Sequence, residues 1–588
     1  MLKRVRSVRT GSLMILASVC AAAPLCFGTE PVLKSDLGKK IDDYFARLVP
    51  WGFSGTLLVA NDGEMILAKG YGLADRESQR PMTPDTAMST GSITKQFTGA
   101  AILKLETAGK LKVSDPITKY FDNVPEDKRD ITIHHLLTHT AGFPGAIGDD
   151  FDVSATAENF AKQAFATKLI WKPGTKYRYS NVGFSIAGII VEKASGQSYE
   201  QYLYENLFKP AGMNRTGYLI PKYKPEELAT GYRDGKSVGN IINRPWLPDG
   251  PSWHLRANGG IHSTIGDMFK WHVALEGESI LPDAAKRKLF APHVREEEGG
   301  DSFYGYGWVN VKTPRGTTVL MHNGGDGVFA ADYRRYIDEK VVYCIASNTA
   351  EWSAIAASEN LPRLIFGMEY TPPPPVAQVS PGQLDRCTGR YALPTGGKLV
   401  VSADAGGLIL ESDGADAMAA IFGGGTASKE RVDKLNNRTG AILQAAGDHD
   451  YKPLKEAFGQ GITLEEVTSR HTELRAEMEQ ELGPYKSFDV LGTVRQGEPM
   501  FTYAKLQFEH GPKYLRLRWE GDELAGIREV SGAGRRTFRP QSETEFASFE
   551  LTSRSMPKIS FEGPSGDAKF PILVIRAPGG DVQAKRVP

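Results

Sequence analysis

From Met88 to Thr98 the sequence reads Met-Ser-Thr-Gly-Ser-Ile-Thr-Lys-Gln-Phe-Thr, which places Ser92 and Lys95 at the predicted start of a helix. Residues three apart lie on the same face of a helix, so the lysine amine can reach the serine hydroxyl. Burial can lower the pKa of an ammonium group enough for it to act as a base. The positive end of the helix dipole stabilises an oxygen that becomes anionic. The stretch therefore predicts Ser92 as a nucleophile and Lys95 as its base.

The residues that follow this pair predict its surroundings. Residues 92–108 are mostly apolar and are followed by Gly109 as a stop signal, which predicts a largely buried helix. An unpaired charge is costly inside such a helix, so a lysine there needs a partner. A surface serine with a lysine that extends into solvent is the alternative that the pair alone leaves open.

A second group of polar residues lies between a turn and an apolar segment. Tyr179 and Asn181 follow the turn Trp171–Gly174 and precede the predicted helix Phe184–Ala194. A phenol can relay protons, and a carboxamide can bind a substrate amide. We therefore expect both side chains to face one cleft at a junction between loop and helix.

A third group of residues lies at the end of a predicted strand. The sequence from Val319 to Gly325 is apolar at first and then reads His322-Asn323-Gly324-Gly325. Glycines let a substrate lie along the backbone as a further strand partner, and they leave N–H groups free to donate. A histidine with a purely structural role beside a strand is the alternative. The pattern predicts Gly324 and Gly325 as substrate-binding residues, while His322 stays open between a site role and a structural one.

These three motifs, in this order, resemble those of the serine β-lactamase and penicillin-binding-protein superfamily, in its class C β-lactamase, DD-peptidase and D-aminopeptidase branch. The resemblance covers residues 35–370 and implies an α+β catalytic domain, with an antiparallel sheet flanked by helices and an all-helical region. It includes six further segments: Phe53–Ala60, Lys69–Ala74, Ile131–Gly142, Gly196–Tyr199, Gly212–Met213 and Ala257–Thr264.

The resemblance also implies roles for the residues of the motifs. Ser92 would attack a carbonyl to form an acyl-enzyme, while Lys95 and Tyr179 move protons. Asn181 would orient Lys95 and the substrate amide. The backbone N–H groups of Ser92 and Gly325 would form the oxyanion hole.

His322 stands where many members of the superfamily have the lysine of a Lys-Thr-Gly motif, so the resemblance implies a substrate-binding role for it. An imidazole with a pKa of ~6.5 is only partly charged at neutral pH, so it would be a weaker anchor for a carboxylate than an ammonium group. The difference argues against a dedicated β-lactamase more than against catalysis.

Other kinds of site have weaker signals. His135 and His139 are four residues apart, a spacing that can bind zinc on a helix, but no cysteine or pair of carboxylates accompanies them. The resemblance accounts for His139 without a metal, so we expect no metal and no cofactor. The sequence has no Gly-x-Ser-x-Gly motif, which disfavours an α/β-hydrolase.

Composition restricts the partners. The chain has 588 residues, 24% of them charged, and a formal net charge of +0, which suits several globular domains and gives no reason to expect binding to nucleic acid or to an anionic membrane. We expect a small-molecule or peptide substrate and no stable membrane span. The sequence does not indicate the oligomeric state.

The first 28 residues resemble a secretory signal peptide. Basic residues precede an apolar stretch, Leu13–Phe27, that is too short for a stable transmembrane helix. We expect cleavage after Gly28 and export to the periplasm or the medium, while Cys20 leaves a lipid anchor open.

The residues after the catalytic region are predicted to form a separate β-rich unit. Residues 371–382 are a Pro-rich linker, and both flanks of residues 383–588 are predicted strands that resemble the lipocalin-like barrel after the catalytic domain of many superfamily members. Helical segments and then alternating strands at residues 427–532 predict an α+β insertion into this barrel.

Together, these features favour an exported serine hydrolase that acts through an acyl-enzyme on a peptide, an amide or an ester, with a D-amino-acid peptide as one candidate. A catalytically weak protein that binds cell-wall peptides is the alternative. A binding protein has no need of a buried lysine beside a serine, which favours the enzyme.

Overall fold

The computed structural model describes residues 30–588 except 149–154, 234, 405, 414, 423–427, 460–462, 496–498, 531–533, 552–555, 565, 567 and 577–580. The predicted signal peptide lies outside the described residues. Within them, none of the helices combines the length and the apolar character that a membrane crossing requires.

The catalytic region is built on one nine-stranded antiparallel sheet. Its strands and those of three small strand pairs are β1 (Val32–Leu33), β2 (Gly55–Asn61), β3 (Glu64–Tyr71), β4 (Leu73–Asp75), β5 (Arg80–Pro81), β6 (Met88–Ser89), β7 (Gly231–Arg233), β8 (Lys236–Gly239), β9 (His262–Ser263), β10 (Val294–Arg295), β11 (Ser302–Tyr304), β12 (Val309–Lys312), β13 (Thr318–Gly325), β14 (Ala330–Tyr336) and β15 (Val341–Ser347). The order across the sheet is β1-β3-β2-β15-β14-β13-β12-β11-β10.

Helices cover both faces of this sheet and form a helical region beside it. They are α1 (Ser35–Leu48), α2 (Thr94–Thr107), α3 (Ile133–Leu137), α4 (Ala157–Ala166), α5 (Asn181–Ser195), α6 (Tyr199–Leu203), α7 (Arg256–Gly259), α8 (Ile265–Glu276), α9 (Asp283–Phe290), α10 (Ala354–Ala357) and α11 (Leu361–Ile365). Because side chains of a strand alternate between its two faces, β13 contributes Leu320 to the core under α2 and Val319 to the core under α1.

The two predicted helices that carry the motifs are present, with different starts. Ser92 lies in a 3-10 turn, Gly91–Ile93, that leads into the buried helix α2. The helix predicted from Phe184 begins at Asn181, because the Ser180 side chain accepts a hydrogen bond from the backbone N–H of Gly183 and caps it. Ser92 and Asn181 therefore sit at helix starts, as expected.

The remaining residues form a barrel with an insertion. After α12 (Pro381–Cys387) come β16 (Gly389–Ala392), β17 (Lys398–Asp404), β18 (Gly407–Asp413), α13 (Ala415–Phe422), α14 (Lys429–Gly447), α15 (Lys452–Phe458), α16 (Leu464–Leu482), β19 (Tyr485–Arg495), β20 (Met500–Phe508), β21 (Pro512–Glu520), β22 (Glu523–Val530), β23 (Arg535–Pro540), β24 (Glu545–Ala547), β25 (Lys558–Glu562), β26 (Ile572–Arg576) and β27 (Val582–Val587).

Eight of these strands close an antiparallel barrel in the order β16-β17-β18-β23-β24-β25-β26-β27. The helices α13–α16 and the four-stranded sheet β19–β22 lie between β18 and β23 in the chain. The predicted fold class, an α+β catalytic domain followed by a barrel with an α+β insertion, is confirmed. The predicted domain boundaries stay predictions.

An aromatic contact joins the barrel to the catalytic region. Phe549, which is 5% exposed, follows β24 and lies with its ring 5.7 Å from that of Trp51 and stacked 6.5 Å from that of Trp352. Trp51 also donates from Nε1 to the carbonyl of Pro374, in the Pro-rich linker, at 3.1 Å. One apolar core therefore includes residues from both units.

Candidate active site

The turn that carries Ser92 is fixed by two threonines that bind the same residue. Thr90 donates from its backbone N–H and from Oγ1 to the carbonyl of Ile261, at 3.0 and 2.8 Å. Thr94 Oγ1 accepts from the backbone N–H of Ile261 at 3.1 Å. The hydroxyl of Ser92 is thus held on a rigid connection between α2 and the segment that follows α7.

Lys95 is fully buried and lies against the hydroxyl of Ser92. Its Nζ donates to Ser92 Oγ at 2.9 Å and to the carbonyl of Asn258 at 2.8 Å, and it lies 4.8 Å from the centre of the Tyr179 ring. The structure therefore brings the predicted nucleophile, base and phenol together. In this arrangement the lysine can exchange a proton with the serine without moving.

Sequence reasoning missed the part that Asn258 plays. Its side-chain Nδ2 donates to Ser185 Oγ at 2.9 Å and to the carbonyl of His254 at 2.6 Å, which fixes the carbonyl that orients Lys95. The only signal in the sequence was the likeness of Ala257–Thr264 to a superfamily segment.

Asn181 begins α5 beside Tyr179, with its amide oxygen free. Its backbone N–H donates to the carbonyl of Gly145 at 2.7 Å, which joins the start of the helix to the loop before it. Its side-chain Oδ1 is buried and has no hydrogen-bond partner among the described residues. Lys95 is therefore oriented by Asn258 and not by this oxygen, which is left for another donor.

His322 is buried, 3% exposed, and both of its ring nitrogens are occupied. Nδ1 donates to the carbonyl of Asn323 at 2.6 Å, so Nε2 is the acceptor and takes a hydrogen bond from the Tyr304 hydroxyl at 2.9 Å. Burial and, to a lesser degree, the charge of Lys95 lower the pKa of His322 to about 3. The imidazole is therefore neutral near pH 7, whereas the sequence suggested partial charge.

Glycines allow β13 to approach the nucleophile closely. A Cβ atom on Gly324 would lie 2.6 Å from the backbone nitrogen of Ser92 and closer still to the carbonyl oxygen of Thr90. A Cβ on Gly91, which has a φ of +49°, would overlap the backbone nitrogen of Gly325. The backbone N–H groups of Ser92 and Gly325 are thus brought next to each other.

Among the described residues, the last part of β13 has no strand partner on the side of β12. The pairing of β12 with β13 runs from Lys312 and Thr318 to Val309 and Met321, so residues 322–325 of β13 extend beyond the end of β12. The prediction that a substrate lies along the glycines of β13 stays a prediction.

His135 and His139 do not lie on one helix face, although their spacing in the sequence would allow it. α3 ends at Leu137, and His139 adopts a φ of +59°, outside the helix. Within the described part of the chain, no three His, Cys, Asp or Glu side chains are grouped so that they could hold a metal ion.

Comparisons with known proteins agree with this geometry. A family model described as "Beta-lactamase" matches residues 50–364. The chain is 28% identical to "Penicillin-binding protein 4*" of Bacillus subtilis over 62% of this chain and 84% of that protein. It is 33% identical to "Putative penicillin-binding protein PbpX" of the same species over 47% of this chain and 67% of that protein.

One solved structure is similar over most of the chain. The octameric penicillin-binding protein homologue from Pyrococcus abyssi aligns with a TM-score of 0.52 and 19% identity, over 93% of this chain and all of that one. At this identity the likeness concerns the fold.

Proposed function

Because the chain belongs to the β-lactamase family of serine hydrolases, we propose that Ser92 is its nucleophile and is acylated by a peptide, an amide or an ester. The observation that carries the proposal is the contact of 2.9 Å between the buried Lys95 Nζ and Ser92 Oγ. A serine needs a neighbouring base to become nucleophilic, and a buried amine is suited to that role.

In the acylation step, Ser92 Oγ forms a bond to the substrate carbonyl carbon and gives its proton to Lys95 Nζ, which lies 2.9 Å away. The negative charge on the carbonyl oxygen is stabilised by the backbone N–H groups of Ser92 and Gly325. When the bond to the leaving group breaks, the leaving nitrogen or oxygen takes the bonding electrons and receives a proton through Tyr179. Water then attacks the acyl carbonyl carbon, the bond from that carbon to Ser92 Oγ breaks, and the water proton returns to Ser92 Oγ through Lys95 and Tyr179 as the acid is released.

Two features support amides and esters without a required carboxylate as substrates. The unpartnered Oδ1 of Asn181 suits a substrate N–H group. The imidazole of His322 is neutral and has a hydrogen bond at each ring nitrogen, so it supplies no cation at the position where a lysine would attract a carboxylate. A peptide or amide with a D-configured residue and a short-chain ester both fit this description.

Intact-protein mass spectrometry tests the proposal. The protein is incubated with penicillin, a D-Ala-D-Ala peptide, a D-amino-acid amide and a short-chain ester, with Ser92→Ala as the control. We expect a mass increase on Ser92, or turnover that Ser92→Ala abolishes, with at least one compound. Folded protein that shows neither would favour the alternative of a peptide-binding protein.

We also propose that the protein is exported. The support is the basic N-terminal segment followed by Leu13–Phe27. N-terminal sequencing of the protein from a cell fraction tests this, with a mature terminus at Thr29 expected. Unprocessed protein confined to the cytoplasm would contradict the proposal.

A further inference from the structure

His139 binds the backbone on both sides of Tyr179. Its carbonyl accepts the backbone N–H of Arg178 at 2.9 Å, and its side-chain Nδ1 accepts the backbone N–H of Ser180 at 3.0 Å. We propose that His139 is a positioning residue that holds the Tyr179 phenol in place for proton transfer to the leaving group. The inference rests on the proposed function, because it assigns a role within the same reaction.

The imidazole also packs on the phenol that it positions. Its ring centre lies 4.3 Å from that of Tyr179 with an angle of 36° between the planes, and 4.4 Å from that of Tyr304. Phe184 closes the same cluster at 5.0 Å. His139 is 2% exposed, so these contacts exclude water from one side of the phenol.

The histidine acts in its neutral form. Nδ1 can accept the Ser180 N–H only when it carries no proton. Burial, and then the charges of Lys95 and His322, lower the pKa of His139 well below its usual value. The other titratable groups around the ring are the phenols of Tyr177, Tyr179 and Tyr304.

The backbone at this position gives a second, independent reason to assign a role. His139 has a φ of +59°, a region that few residues other than glycine adopt. A turn alone would be made more easily by glycine. Non-glycine residues in this region are concentrated at functional sites, where the surrounding structure holds them in place.

Removing the Nδ1 acceptor would therefore release the tyrosine loop. The backbone N–H of Ser180 is buried with the rest of that residue, so without Nδ1 it would have to find a new partner by moving. A displacement of about 1 Å at a catalytic group costs about 100-fold in rate. Only steps that need a proton from Tyr179 should suffer.

The leaving group distinguishes this role from a general loss of structure. An alkyl ester needs its leaving oxygen protonated, whereas the p-nitrophenyl ester of the same acid expels a stable anion. We expect His139→Phe, which keeps a ring and loses the acceptor, to lower kcat/KM for the alkyl ester by about 100-fold and for the p-nitrophenyl ester by less than about fivefold.

His135→Phe is the matched control. His135 lies in the same part of the chain, and its Nδ1 also accepts a backbone N–H, that of Thr132, at 3.3 Å. Its ring lies near that of His134 and does not belong to the group of rings around His139. We expect it to change kcat/KM for both esters by the same small factor. The His139→Asn variant fits the positive φ and keeps an acceptor near the position of Nδ1, so it should lose about three- to tenfold on the alkyl ester and less than about twofold on the p-nitrophenyl ester.

Equal losses on both esters in His139→Phe would overturn the inference, and so would no loss on either. If that variant does not fold, the same comparison is made with His139→Asn, for which a ratio of the two kcat/KM values equal to that of the wild type overturns it. Failure of the proposed function is a different result, namely a wild-type protein that hydrolyses neither ester and is not labelled on Ser92.

Discussion

Replacing Gly324 by alanine should disable the nucleophile while leaving the fold intact. The added Cβ would lie 2.6 Å from the backbone nitrogen of Ser92, and closer to the carbonyl oxygen of Thr90, whereas atoms in ordinary contact are about 3.5 Å apart. Both obstacles are backbone atoms of the turn, so β13 and the turn must separate by about 1 Å. That distance alone costs about 100-fold in rate, or about 2.7 kcal/mol.

The neighbouring glycine provides a matched control. Successive residues of a strand face opposite sides, so a Cβ on Gly325 would point away from the turn and would meet only the carbonyl oxygen of Phe329, at 3.4 Å. We therefore expect Gly325→Ala to lose less than about fivefold and Gly324→Ala to lose about 100- to 1,000-fold, because the latter also disturbs an oxyanion donor.

The assay is the second-order rate constant for labelling of Ser92 by a fluorophosphonate, followed by intact mass, with circular dichroism to confirm that both variants are folded. Labelling of Gly324→Ala within about threefold of the wild-type rate would refute the reasoning. Equal losses in the two variants would also refute it, since they would show that the close approach at Gly324 is not the cause.

Three further predictions concern the base, pH and the barrel. Lys95→Met should lower the labelling rate of Ser92 by at least about 1,000-fold, measured in the same assay, and a rate within tenfold of wild type would contradict the assignment of the base. The pKa of His322 is about 3 in the folded protein and ~6.5 when unfolded, so the unfolded state binds the proton first and the free energy of unfolding falls as pH drops from 6.5 towards 3. In urea titrations at pH 6.5 and pH 5, His322→Asn should lessen that fall by about 2 kcal/mol, and an equal fall in the variant and the wild type would contradict the prediction. Phe549→Ala should weaken the contact between the barrel and the catalytic region by about 3 kcal/mol and speed proteolytic cleavage in the Pro-rich linker, with unchanged cleavage as the contrary result.

The sequence predicted the elements that local patterns determine. Apolar residues after Ser92 indicated a buried helix, and Tyr179 and Asn181 were placed correctly at the start of α5. Local pattern did not show that Ser92 belongs to a 3-10 turn, because that geometry depends on a hydrogen bond from Thr90 to the distant Ile261 and on one from Ile261 to Thr94.

The charge of His322 could not be predicted for a similar reason. An isolated histidine near a strand suggested partial charge, but its state depends on Tyr304 from another strand and on burial beside Lys95. The same holds for Asn258, whose backbone carbonyl orients the lysine and which carries no signal in its side-chain chemistry. Contacts between distant parts of the chain therefore account for what the sequence left open.

The closure of the barrel has a consequence for how the protein is synthesised. β16 pairs with β27, so that Arg390 lies opposite Val587, and the whole α+β insertion is made between these two strands. The sheet of the insertion pairs consecutive strands, β19 to β22, and can form as soon as they leave the ribosome. One edge of β16 meanwhile has no partner, and an open strand edge is prone to pair with other chains. Pairing of distant strands is also slow. The nascent chain is therefore most exposed to aggregation before β27 emerges. The pairing of β27 with β16, which closes the barrel, can form only at the end of synthesis.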